Sequence, residues 1–173
     1  MRANYSLKLQ ILVALSLVAL LIYKFLNVKN ISNSKNLNGQ AIAGNVYTLL
    51  QQTGLNEILS RYATAQGAHE TNNFTSAIFN SNHNCFGMKY AGQVNSTGEK
   101  NGYADYIVIN NSIADFVQWY TRHRVNIFSF PLIITSLGDY VSFLKNNDYF
   151  EADEAEYLSG CQYFYNQIFN VKG

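Results

Sequence analysis

Apolar and polar positions divide the 173-residue chain into one long uncharged run and a series of shorter periodic stretches. From Leu9 to Tyr23 there is no charge, and Leu, Val, Ala and Ile dominate. Arg2 and Lys8 precede this run, and Lys24 and Lys29 follow it. Lysine stems can lie along apolar surface with the charge in water, so Leu7 to Leu26 reaches the roughly 20 residues of a membrane-spanning helix. A cleaved signal peptide shares the positive start and apolar middle, but no small-x-small cleavage site follows before the polar stretch at Asn27. The expectation is an uncleaved anchor over residues 1–26. Its orientation is left open by basic residues on both sides. Residues 27–39, rich in Asn, Ser and Lys, read as a flexible linker, and the domain proper spans residues 40–173.

Within that domain the period is mostly helical. Ile42, Val46, Leu49 and Leu50 predict a helix over 41–52, and Leu59, Tyr62, Ala63 and Gln66 predict another over 58–71. Between Gly87 and Asn111 the glycines at 92, 98 and 102 separate short pieces rich in Tyr, Val and Ile. They predict a hairpin or three-stranded lobe whose last strand is Tyr103 to Ile109. Ser112 has the character of an N-cap for an apolar helix running to about Arg124, in which Trp119 reads as a core residue, with stacking on a sugar as the alternative. Pro131 marks a break. Helices then follow over 135–146, with Leu137, Tyr140, Val141 and Leu144 on one face, and over 153–170, with Tyr157, Cys161, Phe164 and Ile168. The class expected is α+β, mainly helical with a small β lobe.

Composition narrows the function. Twelve basic and eleven acidic side chains leave a formal charge of +1, so no field recommends a nucleic acid. Polarity comes from Asn, Ser, Thr and 13 tyrosines; such neutral groups with aromatic faces suit carbohydrate, although tyrosine serves equally well in a core. Cys85 and Cys161 allow one disulfide in an oxidising compartment, or two separately buried thiols. Neither they nor the histidines have the spacing of a metal site, and no cofactor is expected.

One stretch suggests a reaction. Ala65-Gln66-Gly67-Ala68-His69-Glu70-Thr71 ends a small-residue helix in a lone carboxylate, which partial desolvation can keep protonated near neutral pH as a general acid. Phe74 and Phe86 are close enough in sequence to form an apolar wall for it. Phe86-Gly87 reads as a tight turn beneath a cleft, and Asn84 either bonds a sugar N-acetyl group or caps that turn.

Glu70-Thr71, Phe74-Thr75-Ser76, the block Asn84-Cys85-Phe86-Gly87-Met88-Lys89, and later Tyr106 with Ser112-Ile113-Ala114-Asp115 occur in an order and spacing that resembles the N-acetylglucosaminidase domains of glycoside hydrolase family 73. Such domains occur in bacterial autolysins, flagellar cell-wall hydrolases and phage lysins. The resemblance is good from about Ser60 to Phe116 and looser beyond. It implies a lysozyme-like fold, peptidoglycan glycan strands as substrate, and hydrolysis of the β-1,4 bond after N-acetylglucosamine with Glu70 as the catalytic glutamate. It also implies candidate second groups: Glu99 and Asp105 in the β lobe, and Tyr149 in a region where the family has a functional tyrosine. The residues expected along the substrate are Phe74, Asn84, Phe86, Tyr106 and Tyr157. Where the family often has a glycine soon after the glutamate, this chain has Thr71, Asn72 and Asn73.

The reading that results is a peptidoglycan hydrolase anchored in the cytoplasmic membrane with its domain on the extracytoplasmic side. A muramidase or lytic transglycosylase of similar fold, and a catalytically weak wall-binding or virion structural module, are its rivals.

Overall fold

Six helices and one two-stranded sheet make up residues 39–124 and 134–169, the parts of the chain that the computed structural model describes. In order these are α1 (Gly39–Gln52), α2 (Glu57–Glu70), α3 (Ala77–Asn82), β1 (Gly98–Lys100), β2 (Tyr103–Asp105), α4 (Ile109–Arg124), α5 (Leu137–Asn146) and α6 (Glu154–Phe169). The architecture is thus α+β and mainly helical. The expected anchor, all of the linker but Gly39, and Pro131 lie outside the described residues. Among the described residues no helix is long and apolar enough to cross a membrane.

α2 is the central helix. Asn56 caps it by accepting from the Leu59 amide at 2.9 Å, and Glu57 in its first turn pairs with Arg61. From Leu59 to Ala68 every residue but Arg61 is buried, which a helix can manage only if its polar side chains find partners inside. Most do: Thr64 donates to the Ser60 carbonyl at 2.7 Å, and the Gln66 amide oxygen accepts from the Tyr140 hydroxyl at 2.5 Å, while the Gln66 amide nitrogen has no hydrogen-bond partner among the described residues. Small side chains let neighbours come close. A Cβ on Gly67 would stand 2.9 Å from the Cys85 carbonyl oxygen, and one on Gly160 would stand 2.3 Å from the His69 ring. These two glycines bring the 83–88 turn and α6 against the last turn of α2.

The other helices bury one face each. α1 contributes Ala43, Val46, Leu49 and Leu50, α4 contributes Ile113, Phe116 and Tyr120, and α5 contributes Leu137, Tyr140, Val141 and Leu144. Each large side chain so buried contributes roughly 1.5–3 kcal/mol. Ser136 and Asp139 close a capping box at the start of α5. Cys85 and Cys161 are both buried free thiols, not a disulfide.

Three boundaries differ from expectation. The expected strand Tyr103 to Ile109 ends at Asp105, because β1 offers only three partners, from Gly98 opposite Asp105 to Lys100 opposite Tyr103. The sheet has two strands, and an isolated bridge ties Lys89 to Tyr103 beside it. α4 starts at Ile109 rather than after Ser112. Ser112 lies inside the helix, where its hydroxyl accepts from the Cys85 amide at 3.0 Å and fixes the chain two residues before Gly87. The short α3 was not anticipated; Ser76 caps it through the Phe79 amide.

Candidate active site

The last residue of α2, Glu70, emerges half-buried onto a cleft of about 510 Å³. Its carboxyl Oε1 accepts a 2.5 Å hydrogen bond from the Tyr157 hydroxyl on α6. Burial pushes the carboxyl above the ordinary glutamate range, and the Tyr157 bond opposes that shift without cancelling it. The carboxyl end of a helix carries partial negative charge, which acts in the same direction as burial. Glu70 thus holds its proton more tightly than a free glutamate does.

The chain around it is built to keep the carboxyl in place. Immediately after Thr71, Asn72, Asn73 and Phe74 have φ of 50°, 56° and 59°, three non-glycine residues in the left-handed region at roughly 1–2 kcal/mol each. Thr71 locks this turn, donating to the Gly67 carbonyl and accepting from the Phe74 amide at 2.9 Å. Asparagine tolerates such backbone better than most side chains, which suits Asn72 and Asn73 to this turn. On the opposite side Gly87, at φ 60°, approaches so closely that a Cβ there would lie 3.0 Å from Glu70 Oε2.

Several residues expected along the substrate are interior instead. Phe74 and Phe86 are essentially fully buried; Phe86 stacks on Phe116 with ring centroids 4.0 Å apart and Phe74 packs edge-on against Phe79. Neither is among the cleft's lining residues. Asn84 is also fully buried. Its oxygen accepts from the Phe86 and Met88 amides and its nitrogen donates to the Met88 and Ala104 carbonyls. That resolves the two readings in favour of the turn, since no bonding capacity remains for a sugar. Tyr106 is buried, with its hydroxyl 4.0 Å from the Met88 sulfur. Tyr157 is buried beside Glu70 and acts on the carboxyl rather than as a surface for sugar.

The second groups divide similarly. Glu99 is exposed on β1, and Asp105 on β2 is engaged by the Thr97 hydroxyl at 3.3 Å; neither lines the cleft. Tyr149 does line it and donates to the Phe86 carbonyl at 2.8 Å. Burial and the neighbouring Glu70 charge push its phenol, like that of Tyr157, well above the usual tyrosine range, so both stay protonated. Trp119, expected in the core, is half-buried and lines the cleft, edge-on to Tyr149 at 4.7 Å.

Sequence reasoning missed two carboxylates, Asp148 and Glu151, which line the cleft from the loop between α5 and α6. The same loop carries Phe150, whose ring stacks on Tyr157 at 3.7 Å. Lys145 fastens the loop by donating to the Glu151 and Ala152 carbonyls. Among the described residues no three His, Cys, Asp or Glu side chains gather as a metal site. The arrangement is a protonatable carboxyl on a walled cleft with aromatic faces and two further carboxylates, which is the equipment of acid-assisted glycoside cleavage.

A family model described as Glucosaminidase, mannosyl-glycoprotein endo-beta-N-acetylglucosaminidase, matches residues 44–170. No curated protein and no solved structure matches the chain.

Proposed function

The chain belongs to the glucosaminidase family of glycoside hydrolases, and we propose that it cleaves peptidoglycan at the β-1,4 bond after N-acetylglucosamine with Glu70 as general acid. One observation carries this reading: Glu70 is a half-buried carboxyl with a raised proton affinity, at the end of a buried helix and on the wall of an aromatic cleft. Glu70 gives its proton to the glycosidic oxygen as the C1–O bond breaks, so the departing sugar leaves as an alcohol while the ring takes on oxocarbenium character. Tyr157 holds the carboxyl in one orientation through Oε1. Gly87 leaves room beside Oε2.

Water completes the reaction at C1 and must lose a proton. Of the two other cleft carboxylates, Glu151 faces the cleft cation Lys89, whereas Asp148 adjoins Tyr149, whose hydroxyl bonds the Phe86 carbonyl one residue before Gly87 and so lies toward Glu70. Asp148 is therefore the residue assigned to that proton. The reading also places the domain outside the cytoplasmic membrane, where its substrate lies; protease added to spheroplasts should then remove it, and protection would contradict this placement.

Mass spectrometry of purified peptidoglycan digested by the full chain, with borohydride reduction and a Glu70→Gln control, tests the whole. Reduced N-acetylglucosamine ends that vanish in the variant support the assignment. Reduced muramic or anhydro ends transfer the cleavage to the other bond, and no Glu70-dependent product leaves a binding module.

A further inference from the structure

Lys89 is the one cation among the described residues that line the cleft. Its ammonium lies 3.2 Å from the Glu151 carboxylate, which reaches it from the loop between α5 and α6. Both roots are fixed. The Lys89 carbonyl accepts from the Gln93 side chain at 2.7 Å, and its backbone bridges to Tyr103. On the other side Lys145 holds the Glu151 carbonyl at 3.1 Å. Both tips are open to water: the Lys89 and Glu151 side chains are 76% and 93% exposed. A pair so open to water is weak, because solvent screens it and its long side chains lose freedom on pairing. The structure thus delivers one positive charge to the cleft on rigid backbone and occupies it with an anion that costs little to displace.

Resting on the glycosidase reading above, we infer that Lys89 recognises a carboxylate of the substrate strand, and that Glu151 occupies its ammonium until a substrate carboxylate replaces it. A glycan strand bearing lactyl or peptide carboxylates supplies that anion; a neutral glycan does not. Lys89 is accordingly a specificity residue that separates acidic from neutral strands. It takes no part in bond cleavage, because its ammonium is committed to a carboxylate and Glu70 already supplies the proton.

The test measures equilibrium binding of three strands to the full chain carrying Glu70→Gln. One strand keeps its peptides, one has the peptides removed so that lactyl carboxylates are free, and one has those carboxylates capped as methyl amides. The capped strand should bind about threefold more weakly than an acidic one, the size expected of an exposed ion pair, and high salt should erase the difference. Whichever of the two acidic strands binds more tightly identifies the source of the carboxylate. Adding Lys89→Gln should abolish the preference without weakening the capped strand, Lys89→Arg should retain it, and Glu151→Gln should tighten acidic strands about twofold. Equal binding of acidic and capped strands overturns the inference, as does weaker acidic-strand binding in Glu151→Gln or an equal loss for all strands in Lys89→Gln. Cleavage by the chain with native Glu70 is scored separately, so failure of the glycosidase reading and failure of the Lys89 reading give different results.

Discussion

Tyr157 and Glu70, 87 residues apart in sequence, share a 2.5 Å hydrogen bond in which the phenol donates to the carboxyl. The bond favours the charged carboxylate, so it lowers the proton affinity that burial raises. Tyr157→Phe removes that opposition. Because Glu70 must be protonated to act, the alkaline limb of the pH dependence of kcat/KM should move to higher pH in the variant, while kcat at the optimum falls as the carboxyl loses its fixed orientation. An alkaline limb that stays in place or moves down would remove Tyr157 from this role.

Glu70 also links stability to pH. Its folded pKa lies above the unfolded value, about 4.3 for glutamate, so the native state holds more protons than the unfolded chain in between. The favourable contribution of the protonated group is complete below the unfolded value and is lost as pH rises through the folded one. Glu70→Gln stays neutral throughout. Its Tm advantage over the native chain should grow from about pH 4 to about pH 7, while activity drops by about 10²–10⁴-fold, the range of general-acid contributions. Thermal melts at both pH values check the sign.

Gly87 is constrained twice, by φ of 60° and by the 3.0 Å approach of Glu70 Oε2 to a Cβ built there. Gly92 has φ of 75° but, among the described residues, nothing within 4 Å of the same atom. Alanine at either position should cost roughly 1–2 kcal/mol in backbone strain. Only Gly87→Ala should lower kcat, since only there does the methyl group press on the acid. Denaturant melts and steady-state kinetics on the two variants separate the effects.

The longer helices were legible because a 3.6-residue period announces each locally, and the position of Glu70 at the end of one followed from a carboxylate after a run of small side chains, whereas the six-residue α3 was too short to show a period. Other features depend on contacts that no local pattern encodes. Tyr103 to Ile109 has the composition of a strand, yet its partner supplies only three residues, and Ile109 instead opens α4. Phe86 and Asn84 fall in the right block but point inward, because Asn84 spends its amide on the turn that presents Gly87. Asp148 and Glu151 were invisible, since their loop comes to the cleft through tertiary contacts, the packing of α6 on α2 and the Tyr149 bond to the Phe86 carbonyl, that no local pattern encodes.

Trp119 shows the same limit in a single residue. It sits between Phe116 and Tyr120 in an apolar helix, which reads as core, but the helix face it occupies opens onto the cleft. Its ring is held by His123 at 4.4 Å, by Tyr149 and by Phe143 at 6.1 Å, so a rigid aromatic group lines the cleft. Trp119→Ala should raise KM by about 3–10-fold, from aromatic contacts of about 0.5–1.5 kcal/mol, with a smaller change in kcat. Kinetics on soluble strands give the split; a kcat loss with constant KM would assign Trp119 to positioning Tyr149 instead.

The water-activating group is the step at which sequence and structure diverge most. Glu99 and Asp105 lie on the β hairpin away from the cleft lining, whereas Asp148 lines it with Glu70 and adjoins Tyr149, which is bonded to the Phe86 carbonyl. If Asp148 takes the proton of water on the far face of the ring, displacement is single and the anomeric configuration inverts. The first product seen by NMR from a β-linked strand should then be the α anomer. Asp148→Asn should lower kcat by about 10²-fold or more with little change in KM, because an amide can still accept a hydrogen bond from water but cannot take its proton. An initial β anomer together with an active Asp148→Asn enzyme would exclude this base and leave the substrate's own N-acetyl group as the nucleophile, a route that needs Glu70 but no second carboxylate of the protein.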